Sequence, residues 1–294
     1  MATESRLKAT SDYSPMAGFW NMMRKENARW WNLKSLVFQL AIWLILLNAL
    51  VAVVLFIVPE MVTNAVIETN ITDSSGETQA ALASYSSPHE VANMGMGTFF
   101  QLAGFAVFIG AVIFGHDAIL KERESGTVAW LMSKPLSRRA FVLAKLVAAI
   151  VGVMVIVLFV QGLITYAMCS IEQGSPMPVL PFLAGLGVLS LGILFYLTLA
   201  IALGAFTLSR GITLGLPLII GIIGSLILGI LQAMNILRQV GYFVPWDLTG
   251  FGSSLATGAS LASNEYWPWP VLATAVWVLL FIGAALWKFE QTEL

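Results

Sequence analysis

The chain has 294 residues, of which 58% are hydrophobic and only 11% charged, with a mean hydropathy of +0.84 and a formal net charge of −1. That balance excludes an ordinary water-soluble domain and leaves the bilayer as the solvent. One cysteine, Cys169, and two histidines, His89 and His116, exclude an intrachain disulfide framework and a cysteine metal cluster and leave little for a zinc site, so no metal is expected, and no nucleic-acid partner.

The leader, 1–35, is polar, and its 15–34 stretch predicts an amphipathic helix lying along the membrane. Met16, Trp20, Met23, Asn27 and Trp31 recur at helical spacing, and Arg24, Lys25, Arg29 and Lys34 supply a basic rim for lipid phosphates. Such a helix serves either as a plain anchor or as part of a coupling device.

Crossing about 30 Å of hydrocarbon takes roughly 20 apolar residues. Six segments meet that requirement: 36–58, 94–115, 141–169, 179–208, 212–234 and 269–288. They are joined by loops at 59–93, 116–140, 170–178, 209–211 and 235–268, and a tail at 289–294 follows. The first span follows a polar leader of more than 30 residues, which sets it apart from a cleavable signal peptide. The 235–268 stretch is too apolar for a simple loop and too broken to cross, with Val244-Pro245-Trp246-Asp247 and Gly250-Phe251-Gly252 dividing it. It predicts short re-entrant or interfacial helices. The fold class expected is therefore all-α: a polytopic membrane protein with six transmembrane helices, an interfacial leader helix and short helices before the last span.

Basic loops are retained in the cytoplasm, so lysine and arginine set the orientation. Arg6, Lys8, Arg24, Lys25, Arg29 and Lys34 precede the first span; Lys121, Arg123, Lys134, Arg138 and Arg139 lie between the second and third; Arg210 and Lys288 fall on the same side, and Lys145 can snorkel toward it. The 59–93 loop has neither basic residue but carries Glu60, Glu68, Asp73, Glu77 and Glu90. Only Arg238 breaks the pattern. Both termini are expected in the cytoplasm, with the chain in the plasma membrane.

Packing between spans relies on small residues. Ala111-x-x-x-Gly115, Ala148-x-x-x-Gly152, Ala200-x-x-x-Gly204, Gly211-x-x-x-Gly215 and Ser225-x-x-x-Gly229 offer such faces. An unpaired amide in hydrocarbon costs several kcal/mol. Gln39, Asn48, Gln101 and Gln161 must each face another helix or water, as interhelix hydrogen bonds or as cargo contacts.

The 116–140 loop holds the most informative run. Glu122, Arg123, Glu124 and Ser125 precede Gly126-Thr127; Val128, Trp130, Leu131 and Met132 then form a short apolar face, and Pro135 ends it. A short helix bounded in this way can press a tryptophan-bearing face into a groove on a partner while its charges set the register.

Glu122-x-Glu124-x-Gly126-Thr127, then Leu131-Met132-Ser133-Lys134-Pro135-Leu136-Ser137-Arg138, with Lys145 leading into a span, resembles the permease family of type-2 ABC exporters. Within that family the chain looks closest to the branch described as permeases for multicopper-enzyme maturation. The resemblance implies a coupling helix that seats on a nucleotide-binding subunit, with Glu122, Glu124, Gly126, Thr127, Trp130, Leu131 and Pro135 at or beside the contact. It also implies an ABC ATPase in two copies, carrying ATP and Mg, and a second permease, identical or paralogous. The chain has no Gly-x-x-x-x-Gly-Lys-Ser/Thr loop, so ATP must be held by another polypeptide and no cofactor is expected on this one.

Two functions follow. One is export of an amphipathic or lipid-like substrate through an apolar pathway bounded by membrane lipid. The alternative moves no cargo and passes ATP-driven motion to an extracytoplasmic protein held by the acidic 59–93 loop. An intramembrane serine enzyme at Gly250-Phe251-Gly252-Ser253-Ser254 is disfavoured, because the Gly-x-Ser-x-Gly order and a neighbouring histidine base are both missing. No catalytic residue is assigned.

Overall fold

The computed structural model describes residues 16–69, 85, 87–132, 136–234, 238–262 and 264–291. Among these residues every regular element is helical and none is a strand. Six helices are long and apolar enough to cross a membrane, with mean hydropathies from 2.0 to 3.0.

Helix α1, Phe19–Trp30, is followed after two residues by α2, Leu33–Asn64. The Asn32 side chain caps the start of α2 by accepting from the Lys34 amide at 3.0 Å. Helix α3, Pro88–Glu124, has 37 residues, which at about 1.5 Å per residue is far longer than the hydrocarbon is thick. It therefore carries Lys121 to Glu124 beyond the apolar stretch, because helical hydrogen bonding does not stop where hydropathy does.

A turn at Ser125-Gly126 leads into the short α4, Thr127–Met132. Helix α5, Arg138–Gln173, begins under a Ser137 cap and stops at Gly174, whose φ of 73° suits glycine alone at little cost. Helices α6, Val179–Phe206, and α7, Arg210–Ala233, form a tight antiparallel pair. Short turns at Arg238–Tyr242 and Pro245–Asp247 precede α8, Leu248–Ala256, and the chain closes with α9, Trp269–Gln291.

The core lies where α6 packs along α3, α8 and α9, and where α5 packs along α1 and α3. Phe99, Phe100, Phe141, Phe182 and Phe289 are among its fully buried side chains, and Phe141 stacks on Phe289 at 5.1 Å. Helix α8 is set into this core. A Cβ at Gly185 would lie 2.4 Å from the Gly252 carbonyl oxygen, so two glycines let α6 and α8 meet backbone to backbone. The segment expected to form short re-entrant or interfacial helices does hold short helices, with Leu248, Phe251, Gly252 and Ala256 of the last one buried.

Two of the five small-residue motifs meet each other, since a Cβ at Gly115 would lie 3.0 Å from the Ala200 Cβ. A third receives a tryptophan: a Cβ at Gly152 would fall 2.2 to 2.5 Å from ring atoms of Trp30. The two on α7 differ, with nothing within 4 Å of a Cβ at Gly215 or Gly229. Helix α7 is the least covered of the six.

The leader helix forms, and the stripe expected to lie along the membrane is distinct from the face that packs on the bundle. Met22 and Trp30 are buried, whereas Trp20 and Trp31 are exposed. Phe19, Met22, Met23, Glu26 and Trp30 make a second stripe at helical spacing, and the notch at Gly152 selects it. The exposed stripe is left for the interface.

Candidate functional site

Helix α4 is displayed at one end of the bundle. Gly126 turns the chain with φ +68°, where a side chain would be strained, and the Ser125 and Thr127 hydroxyls lie 2.7 Å apart across that turn. Val128 is buried and pins the helix, while Trp130 on the other face is 58% exposed. The Leu131 side chain and Pro135 lie outside the described residues.

The two glutamates expected beside the docking contact are committed within the chain. Glu122 lies 3.3 Å from Lys25 Nζ and 3.2 Å from Lys145 Nζ, and Lys145 donates to Glu26 Oε1 at 3.0 Å. Lys145 does not snorkel into water: its side chain is 4% exposed and enclosed between two carboxylates. Glu124 accepts from Arg210 Nε at 3.0 and 2.9 Å, one bond to each oxygen.

Arg123, between them, donates to the Gly204 and Ala205 carbonyls at 2.8 and 2.9 Å. This places a cation on the unsatisfied carbonyl end of α6, where the helix dipole favours it. Arg139 pairs with Glu290, and Arg138 reaches the Glu290 carbonyl. These bonds gather α1, the end of α3, α4, the start of α5, the α6–α7 turn and the end of α9 at one end of the bundle. Most of the basic side chains collect there. Sequence reasoning missed Glu26 as a partner, although a lysine inside an apolar run needs a carboxylate and few were at hand.

The opposite end holds the start of α3, the α5–α6 connection and α8. There His89 Nδ1 lies 3.1 Å from Gln173 Oε1, and Tyr166 donates to the Met177 carbonyl at 2.7 Å. Much of the acidic 59–93 loop lies outside the described residues.

The four intramembrane amides separate into three kinds. Asn48 donates to Gln161 Oε1 at 2.8 Å and accepts from Thr165 Oγ at 2.8 Å, a buried bridge from α2 to α5. Thr165 was not anticipated, although it stands one turn beyond Gln161. Gln39 accepts from Trp43 Nε1 at 3.0 Å within its own helix. Gln101 takes part in neither arrangement and lines a cavity.

That cavity, of about 380 Å³, is bounded by α3, α6, α7 and residues 245–249. Its walls include Phe105, Phe108, Leu189, Ile193, Tyr196 and Leu226, so it is mainly apolar. A second cavity of about 410 Å³ lies toward the α8 end and is more polar, with Asp247, Ser254, Asn264 and Tyr266 on its wall. Gln101, Trp246 and Thr249 line both. Burial alone pushes the Asp247 carboxyl above its ordinary pKa. Among the described residues no group of three or more His, Cys, Asp or Glu side chains is placed to hold a metal.

Compared with known protein families, residues 30–294 match the model described as ABC-2 family transporter protein. Among the curated proteins none matches.

Proposed function

Because the chain belongs to the ABC-2 transporter family, we propose that it is the permease subunit of an exporter whose separate ABC ATPase docks on α4. ABC-2 permeases generally pair with ABC ATPase subunits, and this chain is a membrane component of such a transporter, not its ATPase. The observation that carries the docking assignment is the pairing of a buried Val128 with an exposed Trp130 on a six-residue helix that directly follows the ion-paired Glu122 and Glu124. A tryptophan on a rigid, short element is the kind of anchor that interfaces use.

In this reading Trp130, Gly126, Thr127 and Leu131 lie at the contact with Pro135 at its edge, and Glu122 and Glu124 act from behind by fixing α4. The basic end of the bundle faces the cytoplasm with both termini, following the positive-inside rule. Two ATPase copies carry ATP and Mg, and two permeases meet. The bare face of α7, with Gly215 and Gly229 open, is a surface suited to that meeting. The cargo is amphipathic or lipid-like, which suits the apolar cavity beside α7. Within the family, residues 117–145 side with the multicopper-enzyme-maturation branch.

The test is co-purification of the permease with its ATPase. Trp130→Ala is expected to weaken that association by about tenfold and to lower stimulated ATP hydrolysis while the permease keeps its melting temperature. An intact complex with full stimulation would remove α4 from the contact.

A further inference from the structure

The two cavities share a wall, and their chemistry differs on either side of it. The inner one is lined by Phe105, Phe108, Leu189 and Leu226 and suits an apolar tail. The outer one brings a carboxylate, Asp247, together with the aromatic residues Trp246 and Tyr266. Between them stand Gln101, Trp246 and Thr249.

One feature of this arrangement calls for a ligand. Asp247 stands at the start of α8 without capping it, and no cation among the described residues pairs with it. The Trp246 indole, which lines both cavities, stands against the Tyr196 hydroxyl at the constriction. A carboxylate bordered by aromatic rings is the pattern that recognises quaternary ammonium groups, through ion pairing and cation–π attraction.

We propose that this pair of cavities binds a single-chain amphiphile with a quaternary ammonium head, its tail in the inner cavity and its head against Asp247. Charge complementarity fixes the sign of the head, and the apolar inner wall requires the tail. This deepens the amphipathic-cargo reading above and rests on it. The site lies within one permease copy, so its occupancy needs neither the ATPase nor the second copy.

The experiment uses the full chain in nanodiscs of zwitterionic lipid, without ATPase. The probes are dodecanoylcholine and dodecanoyltaurine, each brominated at the tail end, and the readout is quenching of tryptophan fluorescence. The choline ester is expected to give a saturable component that Trp246→Phe removes. Its half-saturation should lie about tenfold lower than that of the taurine amide, and Asp247→Asn should erase that preference. Non-saturable quenching of equal strength for both head groups, which is plain partitioning into the bilayer, would overturn the proposal. So would a saturable component that survives Trp246→Phe. The head-group comparison is made on the unaltered chain, so it stands even where a variant fails to fold. Failure here leaves the ATPase-docking assignment untouched, since no step of the measurement involves α4.

Discussion

Replacing Lys145 by methionine isolates the charge at the centre of the ionic cluster, because methionine keeps much of the length and apolar stem of lysine. Lys145 Nζ lies 3.0 Å from Glu26 and 3.2 Å from Glu122, and its side chain is 4% exposed. Without it, two carboxylates only 15% and 16% exposed face each other, and Lys25, itself 53% exposed, remains near Glu122 alone. Removing one member of a buried pair costs about 3–5 kcal/mol, and the remaining Lys25 puts this case at the lower end, about 3 kcal/mol. That loss corresponds to a fall of roughly 6–12 °C in melting temperature for a chain of this order of size. The assay is thermal unfolding of the purified chain in detergent, followed by tryptophan fluorescence. The triple variant Lys145→Met, Glu26→Gln, Glu122→Gln should recover most of the loss, since it removes the stranded charges as well. An unchanged melting temperature in Lys145→Met, or a triple variant no better than the single one, would refute the reasoning.

Gly152→Ala forces Trp30 out of its notch, because the new methyl would sit 2.2 to 2.5 Å from the indole ring. A destabilisation of about 1–3 kcal/mol is expected, with faster proteolysis of α1 as a second readout. Asn48→Leu leaves the buried Gln161 carbonyl and Thr165 hydroxyl without their partner. The expected loss is about 1–2 kcal/mol, read as a lower midpoint in the same melt, and Gln161→Leu added to it should cost less than it does alone. For sidedness, Ser125→Cys should react with an impermeant maleimide only from the cytoplasm and Ser175→Cys only from outside. Cys169 is buried and gives no background; the opposite pattern would invert the assigned topology.

The number of spans was legible because each is a long apolar run, and hydropathy is a property of one segment by itself. The short helix after Gly126 was legible for the same reason, since a glycine and a proline punctuate it locally. What sequence could not resolve was pairing. The 19–30 helix carries two overlapping stripes, and only the notch made by Gly152, more than a hundred residues later, decides between Trp30 and Trp31. Glu122 and Glu124 read as charges at or beside the docking contact because their cations, Lys145 and Arg210, arrive from other helices. The amides follow the same rule: Asn48 and Gln161 were flagged by cost, but that they serve one another is a fact of helix register.

The ionic contacts behind α4 are unequal, and on the proposed docking this inequality decides what moves. A push on Trp130 reaches Glu122 and Glu124 at the end of α3. From Glu122 it passes to Lys145 and Glu26, a largely buried set that binds α3, α5 and α1 as one body. From Glu124 it passes to Arg210, whose side chain is 70% exposed, so water and salt screen this contact to α7. Helix α7 also packs on less of the bundle than any other span. Motion arriving at α4 is therefore carried rigidly by α3, α5 and α1 and only loosely by α7, so the shear falls between α7 and the rest. The apolar cavity lies along that seam, since α7 supplies one of its walls through Gly221, Ile222, Ser225 and Leu226.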